Sequence, residues 1–265
     1  MSTQNSKGTA LVTGASTGIG ALYADRLARR GYDLILVARS ADRLRGVADR
    51  ITATTGRAVD ILPADLNNPA DLRRVEERLR QDVSITLLVN NAGFGAATPL
   101  LSSDVDEMER MIGVNVTALT RLTYAVIPSF VARGAGTVVN IASIVAIAPE
   151  ILNGVYGATK AYVLALTQSL QHEVGSKGVR VQAVLPGATA TDFWDMAGGH
   201  GTLPADWVMR ADDLVDAALA GLDAGEVVTI PPLQDGGEWT AYEAARRTMS
   251  THLSASTPAA RYRNV

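Results

Sequence analysis

Tyr156 and Lys160, four residues apart, are the pair in this chain best suited to move a proton. They lie in an apolar run, Val155 to Leu170, whose composition predicts a helix, so both side chains fall on one face a turn apart. A free tyrosine titrates near ~10 and exchanges protons poorly at neutral pH. An ammonium about 4 Å away, at an effective dielectric of ~20, favours the phenolate by about 4 kcal/mol, or roughly three pKa units. That brings the phenol toward working pH, where acid–base catalysis is most effective. Ser143, thirteen residues upstream, belongs to the same stretch. Taken alone, the pair reads as a core tyrosine and a surface lysine. The rest of the chain reverses that reading. Lys7, Lys160 and Lys177 are the only lysines among 24 basic residues, so arginine is the default cation and a lysine at this spacing is informative.

The elements that must position these residues alternate. Thr9–Thr13, Leu34–Ala38, Val59–Pro63, Thr86–Asn90, Gly136–Ala142, Val179–Leu185 and Glu226–Ile230 read as short buried strands. Between them, helices are predicted over residues 21–30, 41–54, 69–81, 105–132, 155–176 and 211–224, with a last one over 238–253. Seven strands alternating with helices imply an α/β fold: one doubly wound Rossmann domain, residues 1–265, its mainly parallel sheet covered on both faces. Ser143 falls at the carboxyl end of the fifth strand, where ligands of such sheets bind. Residues 1–7 and 254–265 read as loosely held tails, and 188–210 as an irregular substrate lid.

A second chemical feature sits after the first strand. Gly14, Gly18 and Gly20 lie between a strand and a helix, with Ser16, Thr17 and Ile19 among them, the context of a loop that cradles a dinucleotide pyrophosphate. NAD enzymes place a carboxylate near the end of the second strand to bind the ribose 2′-hydroxyl. Asp33 is at the beginning of that strand, five residues or roughly 17 Å from its end. The end carries Ala38 and Arg39 instead, and a cation without a neighbouring carboxylate suits a 2′-phosphate, with Ser40 and Ser16 adding hydroxyls. NADP(H) is the expected cofactor.

Composition narrows the remaining classes. A net charge of −3 and no basic run leave no electrostatic footprint for nucleic acid. Cysteine is absent, and His172, His200 and His252 show no ligand spacing, so no metal site is expected. No apolar run reaches the ~20 residues that span a bilayer, and Met1–Lys7 lacks an apolar signal region, which points to the cytoplasm.

Together, Thr13-Gly-x-x-x-Gly-x-Gly20, Asp65-Leu66, Asn90-Asn-Ala-Gly93, Asn115, Ser143, Tyr156-x-x-x-Lys160 and Pro186-Gly187 resemble the short-chain dehydrogenase/reductase family. The resemblance implies that Ser143 binds the substrate carbonyl, Tyr156 passes the proton, and Lys160 lowers the tyrosine pKa and bonds the nicotinamide ribose. It implies that Asn115, at a disturbance in its helix, holds a water linking Lys160 to solvent. Asp65 and Leu66 would bracket the adenine, and Asn91, Ala92 and Gly93 would line the adenosine ribose. Pro186, Gly187, Thr189 and Thr191 would face the nicotinamide, although the family usually has Ile or Val at the position of Thr189. Hydride transfer between NADP(H) and a small-molecule carbonyl or alcohol follows, without metal. Phe193, Trp194, Met196, Trp207 and Met209, with Gly198, Gly199 and Gly201 as hinges, would form an apolar lid; Phe94 and Ile144–Ile147 add apolar surface. A homodimer or homotetramer is expected, using Tyr162, Leu166 and Leu170. The alternative is a nucleotide-sensing regulator without turnover, but such proteins usually lack the Tyr–Lys pair. A nucleotide-sugar epimerase or dehydratase would need a larger C-terminal part.

Overall fold

The short apolar runs form the strands: β1 (Thr9–Thr13), β2 (Asp33–Ala38), β3 (Val59–Pro63), β4 (Ile85–Asn90), β5 (Gly136–Ile141), β6 (Val179–Val184), β7 (Thr189–Ala190), β8 (Met209–Arg210) and β9 (Val228–Thr229). A computed structural model describes residues 6–191 and 203–263. Seven strands make one sheet in the order β3-β2-β1-β4-β5-β6-β9, with every pairing parallel. Parallel neighbours need long crossovers, and helices supply them: α1 (Gly18–Arg29), α2 (Ala41–Thr55), α3 (Pro69–Gln81), α4 (Val105–Ile112), α5 (Leu119–Arg133), α6 (Gly154–Val174) and α7 (Ala211–Asp223).

Alternation along each strand divides the core into two layers. Ala10, Val12, Leu34, Leu36 and Val89 face one side, against α1, α2 and α7; Leu11, Ile35, Val37 and Leu88 face the other, against α3, α5 and α6. The expected doubly wound sheet with helices on both faces is therefore present. The chain runs outward from β1 to β3 and returns on the opposite side of β1 as β4. The carboxyl ends of β1 and β4 thus flank the point where winding reverses, the place such sheets bind ligands.

Local signals place the helix starts. Ser40 Oγ accepts from Arg43 N at 3.3 Å, and Asn68 Oδ1 accepts from Ala70 N at 2.9 Å with Pro69 at the first helical position. The helix expected over 105–132 contains a π-helical segment, Gly113–Ala118, between α4 and α5, the disturbance at Asn115 that the family resemblance implies. Two features differ from the sequence reading. Within 188–210, β7 and β8 pair in parallel, Thr189 opposite Met209, after a 3₁₀ turn at Ala205–Trp207. Such two-residue strands carry no periodicity for a sequence to reveal. Leu170 is buried, so it offers no surface to a second copy, whereas Leu166 is half-buried beside it. The large apolar groups left exposed nearby are Ile112, Tyr124 and Tyr162.

The chain divides into two compact units, Met1–Pro231 and Pro232–Val265. The second contains α8 (Gly236–Ser250), capped by Asp235 Oδ1, which accepts from Gly237 N at 2.8 Å. Trp239 and Tyr242 stack along it with ring centroids 5.3 Å apart. Among the described residues no helix is long and apolar enough to cross a membrane.

Candidate active site

The glycine loop is built by close backbone approach. Gly14 and Gly18 have φ of +67° and +54°, left-handed values that favour glycine. A Cβ on Gly20 would stand 2.3 Å from Gly14 O and 2.5 Å from Asn91 Nδ2. The loop is fastened to the end of β4 by side chains. Asn91 Nδ2 donates to Thr13 O at 2.9 Å and Gly14 O at 3.2 Å, and Thr13 Oγ1 accepts from Asn91 N and Ala92 N, both at 3.0 Å. Asn91 therefore shapes the loop. Thr13, which reads in sequence as a strand former, is its partner and was not among the expected site residues. Gly20→Ala is expected to destabilise the protein by about 1–3 kcal/mol through overpacking. Gly46, on α2 with open space around it, is the control: its Ala variant should unfold no earlier in a thermal melt. Equal melting of the two variants would refute the close packing.

Ser16, Thr17 and Ile19 lie between the loop glycines, and Thr17 is the residue before α1. The first turn of α1 carries no acidic residue, whereas its last turn carries Arg26 and Arg29. An anion at its N-terminus is favoured by the helix dipole. At the end of β2, Arg39 is exposed and enters none of the ion pairs among the described residues. Ser40 caps α2. Asp33, at the other end of β2, is occupied by Arg57 at 2.9 Å and by Ala58 N at 3.1 Å. Asp65 Oδ1 accepts from Asn67 N at 2.9 Å, and Leu66 is buried with Leu72 and Val75.

Ser143, Tyr156 and Lys160 are brought together, all three buried. Ser143 follows β5 and hydrogen-bonds the Tyr156 hydroxyl; its Oγ also accepts from Val145 N at 3.4 Å and donates to Pro186 O at 3.5 Å. Tyr156 packs with Ala96, Met108, Met111 and Val145. Lys160 Nζ donates to Ile141 O at 2.8 Å and lies 5.8 Å from the Tyr156 ring centroid. Asn115, in the π segment, donates to Phe94 O at 2.9 Å and Thr159 Oγ1 at 3.1 Å and accepts from Phe94 N at 3.1 Å. A Cβ on Gly93 would meet Asn115 Oδ1 at 2.8 Å and Lys160 Nζ at 3.6 Å, so this glycine lets the two side chains approach the strand end.

The electrostatics correct one expectation. Burial pushes Tyr156 up to about 12, opposed by its Ser143 hydrogen bond, and pushes Lys160 down to about 8. The ammonium points at a carbonyl, not at the phenolic oxygen, and desolvation outweighs the attraction expected from helical spacing alone.

Across the cleft, Pro186 O also accepts from Ile144 N at 2.9 Å, and Gly187 O accepts from Thr189 Oγ1 at 3.0 Å. A Cβ on Gly18 would lie 3.5 Å from Thr191 Cγ2, which sets Thr191 beside the glycine loop. Met209 packs against the core layer that holds α7, and Trp207 is 68% exposed. Phe193, Trp194, Met196, Gly198, Gly199 and Gly201 lie outside the described residues.

Residues 8–198 match the short chain dehydrogenase family. The chain belongs to that family of oxidoreductases. It is similar to a short-chain dehydrogenase from Sphingobium yanoikuyae in complex with NADPH, with a TM-score of 0.93, 50% identity, and coverage of 96% of this chain and 100% of that one. It also resembles the bulky-bulky ketone specific alcohol dehydrogenase from Comamonas testosteroni, with a TM-score of 0.90, 44% identity, and coverage of 97% and 99%. Human 17-beta-hydroxysteroid dehydrogenase type 3 is 35% identical over 69% of this chain, a match spanning 59% of the human protein's own length. In this family member the glycine loop, the Ser143–Tyr156–Lys160 group and the Asn115 anchor share one edge of the sheet.

Proposed function

We propose that this dehydrogenase transfers hydride between NADP(H) and the carbonyl or secondary alcohol of an apolar small molecule. The observation that carries the reading is the buried, hydrogen-bonded Ser143–Tyr156 pair with Lys160 beside it, on the same sheet edge as the glycine loop.

The residues present fit a phosphorylated dinucleotide. A Cβ would fill the cradle at Gly14 and Gly20, the start of α1 lacks a carboxylate, and Arg39 stands exposed at the end of β2. Gly14 to Gly20 would hold the pyrophosphate, Arg39 and Ser40 the 2′-phosphate, Asp65 and Leu66 the adenine, and Ala92 and Gly93 the neighbouring ribose. Pro186, Gly187, Thr189 and Thr191 would border the nicotinamide, with Lys160 at its ribose. When bound, the cofactor supplies or accepts the hydride.

The protein's own groups handle the oxygen. Ser143 Oγ donates a hydrogen bond to the substrate carbonyl and holds it beside the Tyr156 hydroxyl. A phenol pushed up to about 12 is protonated at neutral pH, so Tyr156 is ready to donate to the developing alkoxide. Lys160, brought down to about 8, exchanges protons near neutrality and in its charged form offsets the phenolate that donation leaves. Asn115 keeps the chain at Phe94 fixed beside both. Phe94, Ala96, Val145 and Leu152 give the site apolar walls, which supports an apolar substrate, and the likeness to the Comamonas enzyme, named for bulky-bulky ketones, supports a bulky ketone.

The test is a pair of dissociation constants for NADPH and NADH, together with turnover of a panel of ketones. A charge-assisted contact is worth roughly 1.5–3 kcal/mol, so NADPH should bind one to two decades tighter. Arg39→Ala should remove most of that gap and leave NADH nearly unchanged. Ala38→Asp should reverse the preference by repulsion. Equal binding of the two nucleotides by the unmodified protein would sink the assignment.

A further inference from the structure

We infer that Asn153 is a positioning residue for the proposed reaction, holding the loop of residues 94–104 against Tyr156. The inference rests on the reading of Tyr156 given above. Asn153 precedes α6 and caps it: Oδ1 accepts from Val155 N at 2.9 Å. Any short side-chain acceptor performs that task, and Ser, Asp and Asn do so about equally. The amide end of Asn153 has a separate set of partners. Nδ2 donates to Thr98 O at 2.7 Å and to Ser103 Oγ at 3.0 Å, and the backbone N of Asn153 donates to Ala96 O at 3.3 Å. Ser103 Oγ in turn lies within donating distance of Thr98 O and Pro99 O, at 3.1 Å and 3.0 Å, its one proton shared between them. One acceptor and two donors on a short side chain is the inventory of asparagine; neither serine nor aspartate supplies it.

Geometry gives this link a consequence at the reacting group. Asn153 is 6% exposed and lies three residues before Tyr156, at the fixed end of the helix that carries it. The loop it holds contributes Ala96 and Phe94 to the cluster around the tyrosine ring. Asn115 fastens the same loop at Phe94, through both its backbone N and O. The loop is thus tied at one end to the π segment and at the other to the start of α6. Releasing the second tie leaves the wall beside the phenol held from one side only. Misplacement of a reacting group by ~1 Å costs up to about a hundredfold in rate.

The experiment compares Asn153→Ser and Asn153→Asp with the unmodified protein on a bulky ketone, with Tyr156→Phe as control. Both Asn153 variants keep a cap; Asp supplies no donor, and Ser, with a single hydroxyl proton, cannot make the donations to both Thr98 and Ser103. Each should lower kcat by about tenfold or more. The Kd of NADPH should stay unchanged, and so should helical content by circular dichroism. Hydrogen exchange should quicken in residues 94–104 and not in β1. Wild-type kcat in either variant would overturn the inference, because capping alone would then suffice. Lost NADPH affinity in step with kcat would overturn it too, as general damage to the fold. If the unmodified protein turns over no more ketone than Tyr156→Phe, the underlying reading fails and the inference falls with it.

Discussion

Replacing Tyr156 by Phe is expected to lower kcat by about 10²–10⁴-fold, the range of a positioned general acid, while the Kd of NADPH stays within a factor of about two. The ring is buried among Ala96, Met108, Met111 and Val145, and Phe keeps its volume and those contacts. The hydroxyl is lost, and with it the hydrogen bond to Ser143. Because that hydroxyl is held protonated at neutral pH, the variant should fail in the chemical step and not in binding. Single-turnover measurements with saturating NADPH separate the two. Wild-type turnover would remove Tyr156 as the proton donor.

Lys160→Met is expected to abolish most turnover and yet make the ligand-free protein more stable at neutral pH. Burial lowers Lys160 from an ordinary value of 10.5 to about 8. Below pH 8 both folded and unfolded chains hold the proton, and the folded state carries the full penalty of a buried charge, about 3 kcal/mol. Between pH 8 and 10.5 the folded state has released a proton that the unfolded chain still holds, so stability rises with pH. Above 10.5 the difference is constant. Met fills similar space without charge but leaves Ile141 O without its 2.8 Å donor, a loss of about 1 kcal/mol or more. The net gain near pH 7 should be about 1–2 kcal/mol by denaturant unfolding. The rise of stability from pH 8 to 10 should flatten in the variant. Tyr156, raised from 10 to about 12, acts in the opposite sense: above pH 10 the unfolded chain loses its phenolic proton first and stability falls. A variant less stable at pH 7, with the wild-type pH slope, would show that the lysine is not a buried charge.

The sequence made the parallel sheet legible because each strand is a short apolar run ended by turn residues, as with Thr9–Thr13 before Gly14. Ser143, Tyr156 and Lys160 were equally legible, since strand end and helical spacing fix which face they share. Distances between remote segments were not. Lys160 finds Ile141 O nineteen residues away, and this contact, not the spacing to Tyr156, sets its direction. Nothing in the sequence singles out Asn153; its bonds to Thr98 and Ser103 cross 55 and 50 residues. Thr13 and Asn91 meet across 78 residues. Leu170 looked like surplus apolar surface because periodicity identifies a stripe and not what covers it.

The hydrogen bonds between Thr13 and Asn91 bear on how a nucleotide arrives and leaves. They set the shape of the glycine loop through groups of the protein alone, so association has little loop entropy to overcome. Arrival rates of NADPH and NADH should then be similar, and the contact offered by Arg39 should be expressed as a longer residence of the phosphorylated nucleotide.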